Sequence, residues 1–104
     1  MIAAAGNDPT LYKITIRNPP WHTVNWQGTG LTVWGVKIQA PWNVTNTDGF
    51  DIHGSSATIY DTTMLYGGDG ITFLGNGASE TPISKVLIKN TTMTGDMPSA
   101  AVVP

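Results

Sequence analysis

Short runs, most of them apolar–polar–apolar, recur along the chain in two interleaved series. The first is Ile14-Thr15-Ile16, Leu31-Thr32-Val33, Ala57-Thr58-Ile59 and Val86-Leu87-Ile88. Ile14 to Leu31 is a step of 17 positions, Leu31 to Ala57 one of 26, and Ala57 to Val86 one of 29. The second is His22-Thr23-Val24, Phe50-Asp51-Ile52, Ile71-Thr72-Phe73 and Ala100-Ala101-Val102-Val103. Turn formers separate the two series: Pro19-Pro20, Gln27-Gly28-Thr29-Gly30, Gly54-Ser55-Ser56, Gly67-Gly68 and Gly75-Asn76-Gly77. Alternation with a period of two, bounded by such residues, predicts strands, and no ten-residue stretch carries helical periodicity.

Strand pairs repeating every twenty-odd residues predict a parallel β-solenoid of about four coils, one domain over residues 1–104. A single coil cannot bury its apolar face, so coils stack and their inward side chains form ladders. An antiparallel sandwich of about eight strands has a similar strand density, and the pattern alone leaves it open. Residues 75–82 read as a loop protruding from one coil. Neither end supplies an amphipathic capping helix, and residues 100–104 are apolar, so self-association through open solenoid ends is expected.

Composition agrees with strands and turns. The chain is 40% hydrophobic and 12% charged, about half the usual ~25% charged fraction. Thr, Asn, Gly, Ile and Val are plentiful, which favours strands and turns over helices. The net charge is −2, and the five cations, Lys13, Arg17, Lys37, Lys85 and Lys89, are scattered, so nucleic acid is not an expected partner. No run approaches the length of a membrane span, and the first six residues lack a signal peptide's charged and apolar segments. With no cysteine, disulfides and thiolate metal sites are excluded, and the compartment stays open.

The chemistry concentrates in Asn46-Thr47-Asp48-Gly49-Phe50-Asp51-Ile52. Asn and Gly suit a tight turn, and an Asp held at the mouth of the following strand can be presented to a groove. As a bare tetrapeptide, Asn-Thr-Asp-Gly is equally an ordinary turn. The heptad resembles the NTDG motif of glycoside hydrolase family 28, the polygalacturonases and related pectin-degrading enzymes. Residues 11–22, ending Asn18-Pro19-Pro20-Trp21-His22, resemble the family's strand followed by an Asn-Ser-Pro, aromatic and His segment. Residues 31–41 resemble the coil that precedes NTDG. The resemblance implies a right-handed parallel β-helix, a secreted protein, a galacturonan-type substrate and hydrolysis with inversion. Family members are several times longer, so the chain reads as an internal piece.

An inverting glycosidase needs a protonated carboxyl and an ionised carboxylate on opposite sides of the scissile bond. The family draws on one Asp in NTD, two in GDD, a His in GHG, and an Arg and a Lys in RIK. Asp48 takes the first position. Gly68-Asp69-Gly70 takes either the GDD place, one Asp having become Gly, or the GHG place, with Asp69 for His and one coil deleted. In the second register RIK falls on Ala101-Val102-Val103, without its cations. In both, Asp48 and Asp69 are the candidate catalytic pair, about one coil apart and ~5 Å across adjacent strands. Two carboxylates so close push one pKa upward, the starting point for an acid and a base. Two solvated turn aspartates are the plainer alternative, and activity is expected to be weak or lost.

Trp42, Asp51 and His53 are the candidate substrate-binding residues. Trp42 is the best placed of Trp21, Trp26, Trp34 and Trp42 to stack on a sugar ring, being close to Asp48. Asp51 and His53 alternate onto one strand face, where a His hydrogen-bonded beside a carboxylate is expected. Two or three hard ligands without a convergent partner seldom hold a metal, so no metal or cofactor is expected. His22 reads as structural. Asn43-Val44-Thr45 and Asn90-Thr91-Thr92 fit the N-glycosylation pattern, but Asn and Thr ladders on the coil surface account for them as well. A non-catalytic solenoid that binds saccharide or self-assembles is the alternative to an enzyme.

Overall fold

The computed structural model describes residues 1–41, 43–74 and 83–95, and the backbone alone of Ala100–Val103. Two parallel sheets wind around one axis, and no helix occurs among the described residues. The first sheet stacks β1 (Ile2–Asn7), β4 (Val24–Thr29), β7 (Phe50–Ser55), β9 (Ile71–Leu74) and β11 (Ala100–Val103) in that order. The second is built on the long β8 (Thr58–Leu65). Its first half pairs with β5 (Thr32–Trp34), and β5 with β2 (Thr10–Tyr12). Its second half pairs with β6 (Lys37–Gln39), and β6 with β3 (Thr15–Arg17). On its other side lies β10 (Leu87–Thr94).

Every pairing is parallel, which removes the antiparallel sandwich. The chain is a right-handed parallel β-helix, the hand that parallel crossovers take. From β1 to β9 it makes three turns through described residues, and β10 and β11 belong to the next winding. That accounts for the four coils read in the pattern.

The register corrects the repeat. Ile2, Val24, Phe50, Ile71 and Ala100 are successive partners in the first sheet, so β1 is a full member that the alternation did not reveal. In the second sheet Thr10, Thr32, Thr58 and Leu87 are partners. Ile14 therefore stands beside Val36, whose neighbour Lys37 donates its N–H to the Ile14 carbonyl. The step of 17 joined two different rows of the coil. The loop expected over residues 75–82 lies outside the described residues.

Inward side chains stack in columns set by this register. Val24, Phe50 and Ile71 form one, Val33 and Ile59 a second, Ile38 and Met64 a third, and none of them is more than 3% exposed. Leu11 and Ile88 extend the second column, and Ile16 and Met93 the third. Corners are built as regularly. Lys13, Gly35, Asp61 and Asn90 occupy one corner of successive windings with φ of 49°, 62°, 48° and 44°. Asp8, Gly30, Ser56 and Lys85 occupy another with φ of 54°, 84°, 59° and 53°. The left-handed conformation costs roughly 1–2 kcal/mol for a non-glycine residue, so the stacking of whole windings overrides local preference. The Asn90 side-chain amide donates to Asp61 across one such corner, which favours the ladder reading of that Asn.

Candidate active site

The segment 41–49 leads into β7, and its turn is tied on three sides. Asn46 takes the left-handed conformation at φ 60°. The fully buried Thr47 donates its hydroxyl to the carbonyls of Val44 at 2.7 Å and Pro41 at 3.1 Å. Flanking windings hold the next residues: the Thr23 N–H donates to the Asp48 carbonyl at 2.8 Å, and the Gly49 N–H to the Asp69 carbonyl at 3.0 Å. The tetrapeptide is thus a turn, and one locked between two neighbouring windings.

Continuing the register two positions ahead of each strand puts His22, Asp48 and Asp69 in one row across three windings. The Asp69 N–H donates to the Asp48 carboxylate at 3.1 Å. A Cβ at Gly68 would stand 1.8 Å from the same carboxylate oxygen, so glycine at this position leaves the space that Asp48 occupies. Thr45, Asn46, Asp48, Gly67, Gly68 and Asp69 line an open cleft of about 180 Å³. Asp69 is half-buried, and its carboxylate accepts the Thr72 hydroxyl at 3.4 Å.

Asp51 follows on β7 and is only 1% exposed. Its carboxylate pairs with Nδ1 of His22 from the preceding winding. Burial pushes the Asp51 carboxyl up from 3.8 to about 6; His22 pulls it back, while Asp48 and Asp69 push it further up. The Asp51–Asp48 hydrogen bond acts in the same upward direction, because a protonated carboxyl is the donor in such a pair. The Trp21 ring stacks on the His22 imidazole, centroids 5.3 Å apart and planes within 24°.

The structure therefore brings together Asp48, Asp69 and Asp51, and adds His22, which the sequence reading left as structural. Its only advance signal was its place in the Pro-Pro-Trp-His segment, two residues before a strand. His53 lies on β7 in Asp51's outward row, half-buried and paired in register with Gln27. The structure also sets His22, from the preceding winding, beside the Asp51 carboxylate. Trp42 lies outside the described residues. Of the other indoles, Trp26 is core at 2% exposed, and Trp34 stacks between Tyr12 and Tyr60. Trp21, half exposed beside His22, is the one described indole next to the site.

Ligand-type atoms of His22, Asp48 and Asp51 lie within 4.8 Å of one another, a spacing that can bracket a small cation. Three groups fall short of the six or more oxygens a hard cation collects. Two of them already bind each other, so the trio is read as a His22–Asp51 pair beside a second carboxyl. Chemically, the site offers one carboxyl biased towards its protonated form and two facing a cleft.

The sequence model for glycosyl hydrolases family 28 matches residues 1–96. The chain belongs to glycosyl hydrolases family 28. It is 32% identical over 79 residues to a polygalacturonase of Chamaecyparis obtusa, covering 75% of this chain and 15% of that protein. It is 35% identical over 75 residues to an endo-polygalacturonase of Pectobacterium carotovorum subsp. carotovorum, covering 69% of this chain and 19% of that protein. A polygalacturonase of Juniperus ashei is 33% identical over 75 residues. The chain spans less than a fifth of the length of these relatives. No solved structure matches the chain at comparable significance. Of its five Lys and Arg residues, Arg17, Lys37 and Lys89 lie on strands of the second sheet, Lys13 between β2 and β3, and Lys85 ahead of β10. Two of them lie over aromatic rings there, Lys13 on Trp34 at 5.1 Å and Lys89 on Tyr60 at 5.4 Å.

Proposed function

We propose that this chain carries the acidic groove of a polygalacturonase-type glycoside hydrolase that recognises and cleaves galacturonan in pectin outside the cell. The observation that carries the reading is that Asp48 and Asp69, from adjacent windings, line one open cleft. Asp48 and Asp69 divide the acid and base roles of an inverting hydrolysis, and a saccharide lies along the row of windings above them. Activity of this chain alone is weak, because no strand of the first sheet carries a Lys or Arg to grip the substrate's carboxylates. A reducing-sugar assay on polygalacturonate tests this. Release of reducing ends that Asp48→Asn lowers by at least ~10²-fold, the scale of one acid–base group, supports the enzyme. Release that Asp48→Asn leaves unchanged sinks it.

A second reading is favoured by those absent cations and by the first winding. There Ile2, Leu11, Ile14 and Ile16 are only partly buried, covered by β4, β5 and β6 on one side. On this reading the chain is a non-catalytic solenoid that binds saccharide or assembles by stacking copies end to end. No turnover at any pH, together with a large particle by light scattering, supports it.

A further inference from the structure

We propose that His22 and Asp51 are positioning residues for Asp48: the imidazole, stacked under Trp21, holds the buried Asp51 carboxyl, and Asp51 hands its own hydrogen bond to the carboxylate at the cleft. The proposal rests on the reading of Asp48 as a working carboxylate of the groove and extends the site to the two groups behind it.

Four observations converge on it. His22 comes from the winding before Asp51, so its contact with that carboxyl is made across windings and is absent until they stack. Asp51 is 1% exposed and cannot itself meet a polysaccharide. Its carboxyl lies within 4.8 Å of that of Asp48, which does line the cleft. The imidazole has its ring face covered by Trp21 and Nδ1 engaged by Asp51, so its orientation is set on two sides. Three carboxylates crowd this point, and one must keep a proton for the others to carry charge. Asp51, the most buried of the three, is where that proton resides. A hydrogen bond donated from Asp51 to Asp48, together with the one that Asp48 accepts from the Asp69 N–H, orients the carboxylate towards the cleft.

The groups facing Asp51 are His22 from the segment before β4, Asp48 from the segment before β7, and Asp69 from the segment before β9. Its register partners on β4 and β9, Asn25 and Thr72, are uncharged, and His53 follows two residues along β7. The arrangement therefore predicts shifts of opposite sign on removing each neighbour.

Carboxyl-carbon NMR of the folded chain, titrated from pH 3 to 8, reads this out without any need for turnover. The Asp51 signal is expected to inflect near pH 6. In Asp48→Asn the inflection falls by about half a unit or more, since a hydrogen-bonded neighbouring charge has gone. In His22→Gln it rises by a similar amount. An Asp51 inflection in the ordinary carboxylate range in wild type, or one that Asp48→Asn leaves in place, overturns the proposal. Should His22→Gln fail to fold, the wild-type and Asp48→Asn titrations still decide it. The two failures stay distinct. The expected shifts in a chain that does not cleave polygalacturonate would leave the positioning standing and remove the enzyme. Cleavage with an unmoved inflection would do the reverse.

Discussion

At the scale of single residues, Asp51 is the most informative side chain in the molecule. Its carboxyl is raised in the folded state, from 3.8 to about 6, chiefly by burial. Below pH ~4 it is protonated in both folded and unfolded chains and costs nothing. Between the two values the unfolded chain releases the proton that the folded chain retains, so folding loses stability as pH rises. Above ~6 the penalty is complete, on the order of 3 kcal/mol at 1.36 kcal/mol per unit. Urea midpoints measured at pH 4 and pH 7 check it. Asp51→Asn is expected to gain stability relative to wild type as pH rises through this window. Parallel pH curves for the two proteins would mean that Asp51 is not the group responsible.

At the scale of elements, the alternation in Phe50-Asp51-Ile52 and Ile71-Thr72-Phe73 was enough to place β7 and β9, because one face of each strand is buried and the other is polar. The turn Asn46-Thr47-Asp48-Gly49 was legible for the same reason: its residue types carry their own local chemistry. What did not show was register. Ile14-Thr15-Ile16 looks like Leu31-Thr32-Val33, yet Ile14 stacks beside Val36. The columns at the corners mix Lys, Gly, Asp and Asn, or Asp, Gly, Ser and Lys. No residue type marks them, since stacked windings impose the backbone there. β1 was hidden because Ala3-Ala4-Ala5 carries no alternation, and only pairing with β4 makes it a strand. His22 was missed because its partner, Asp51, is a whole winding away.

The glycines of β4 and β7 show how strongly this stacking constrains an element. Gly28 and Gly54 occupy the same place in successive strands, with φ of 146° and 147°. A Cβ at Gly54 would lie 1.8 Å from the Gly28 carbonyl oxygen, a backbone atom that cannot rotate away. Gly54→Ala is therefore expected to cost about 2–4 kcal/mol, combining backbone strain with overpacking. The check is a lower urea midpoint at unchanged slope. A midpoint within experimental error of wild type would show that the two strands can separate here without loss.

At the scale of the whole molecule, the first winding is the one with an apolar side in view. Val24, Val33 and Ile38 are 3%, 0% and 1% exposed because windings lie on both sides of them. Their partners one winding back, Ile2, Leu11 and Ile16, are only partly buried. An apolar recess of about 190 Å³ opens there, lined by Ile2, Leu11, Val24, Trp26 and Leu31 among others. A contiguous apolar surface of this kind is a place where something docks, and in a stacked solenoid the natural occupant is another winding. On the self-assembling reading that winding belongs to a second copy. Light-scattering mass should then exceed the 11.1 kDa of one chain and fall on dilution. Leu11→Lys puts a charge into the recess that a docking copy would have to desolvate, at a cost of several kcal/mol, while the free chain leaves it in water. The expected outcome is a single-chain mass for Leu11→Lys at concentrations where wild type is larger, with an unchanged strand signature by circular dichroism. Wild type and Leu11→Lys of equal mass at all concentrations would remove this winding as the assembly surface.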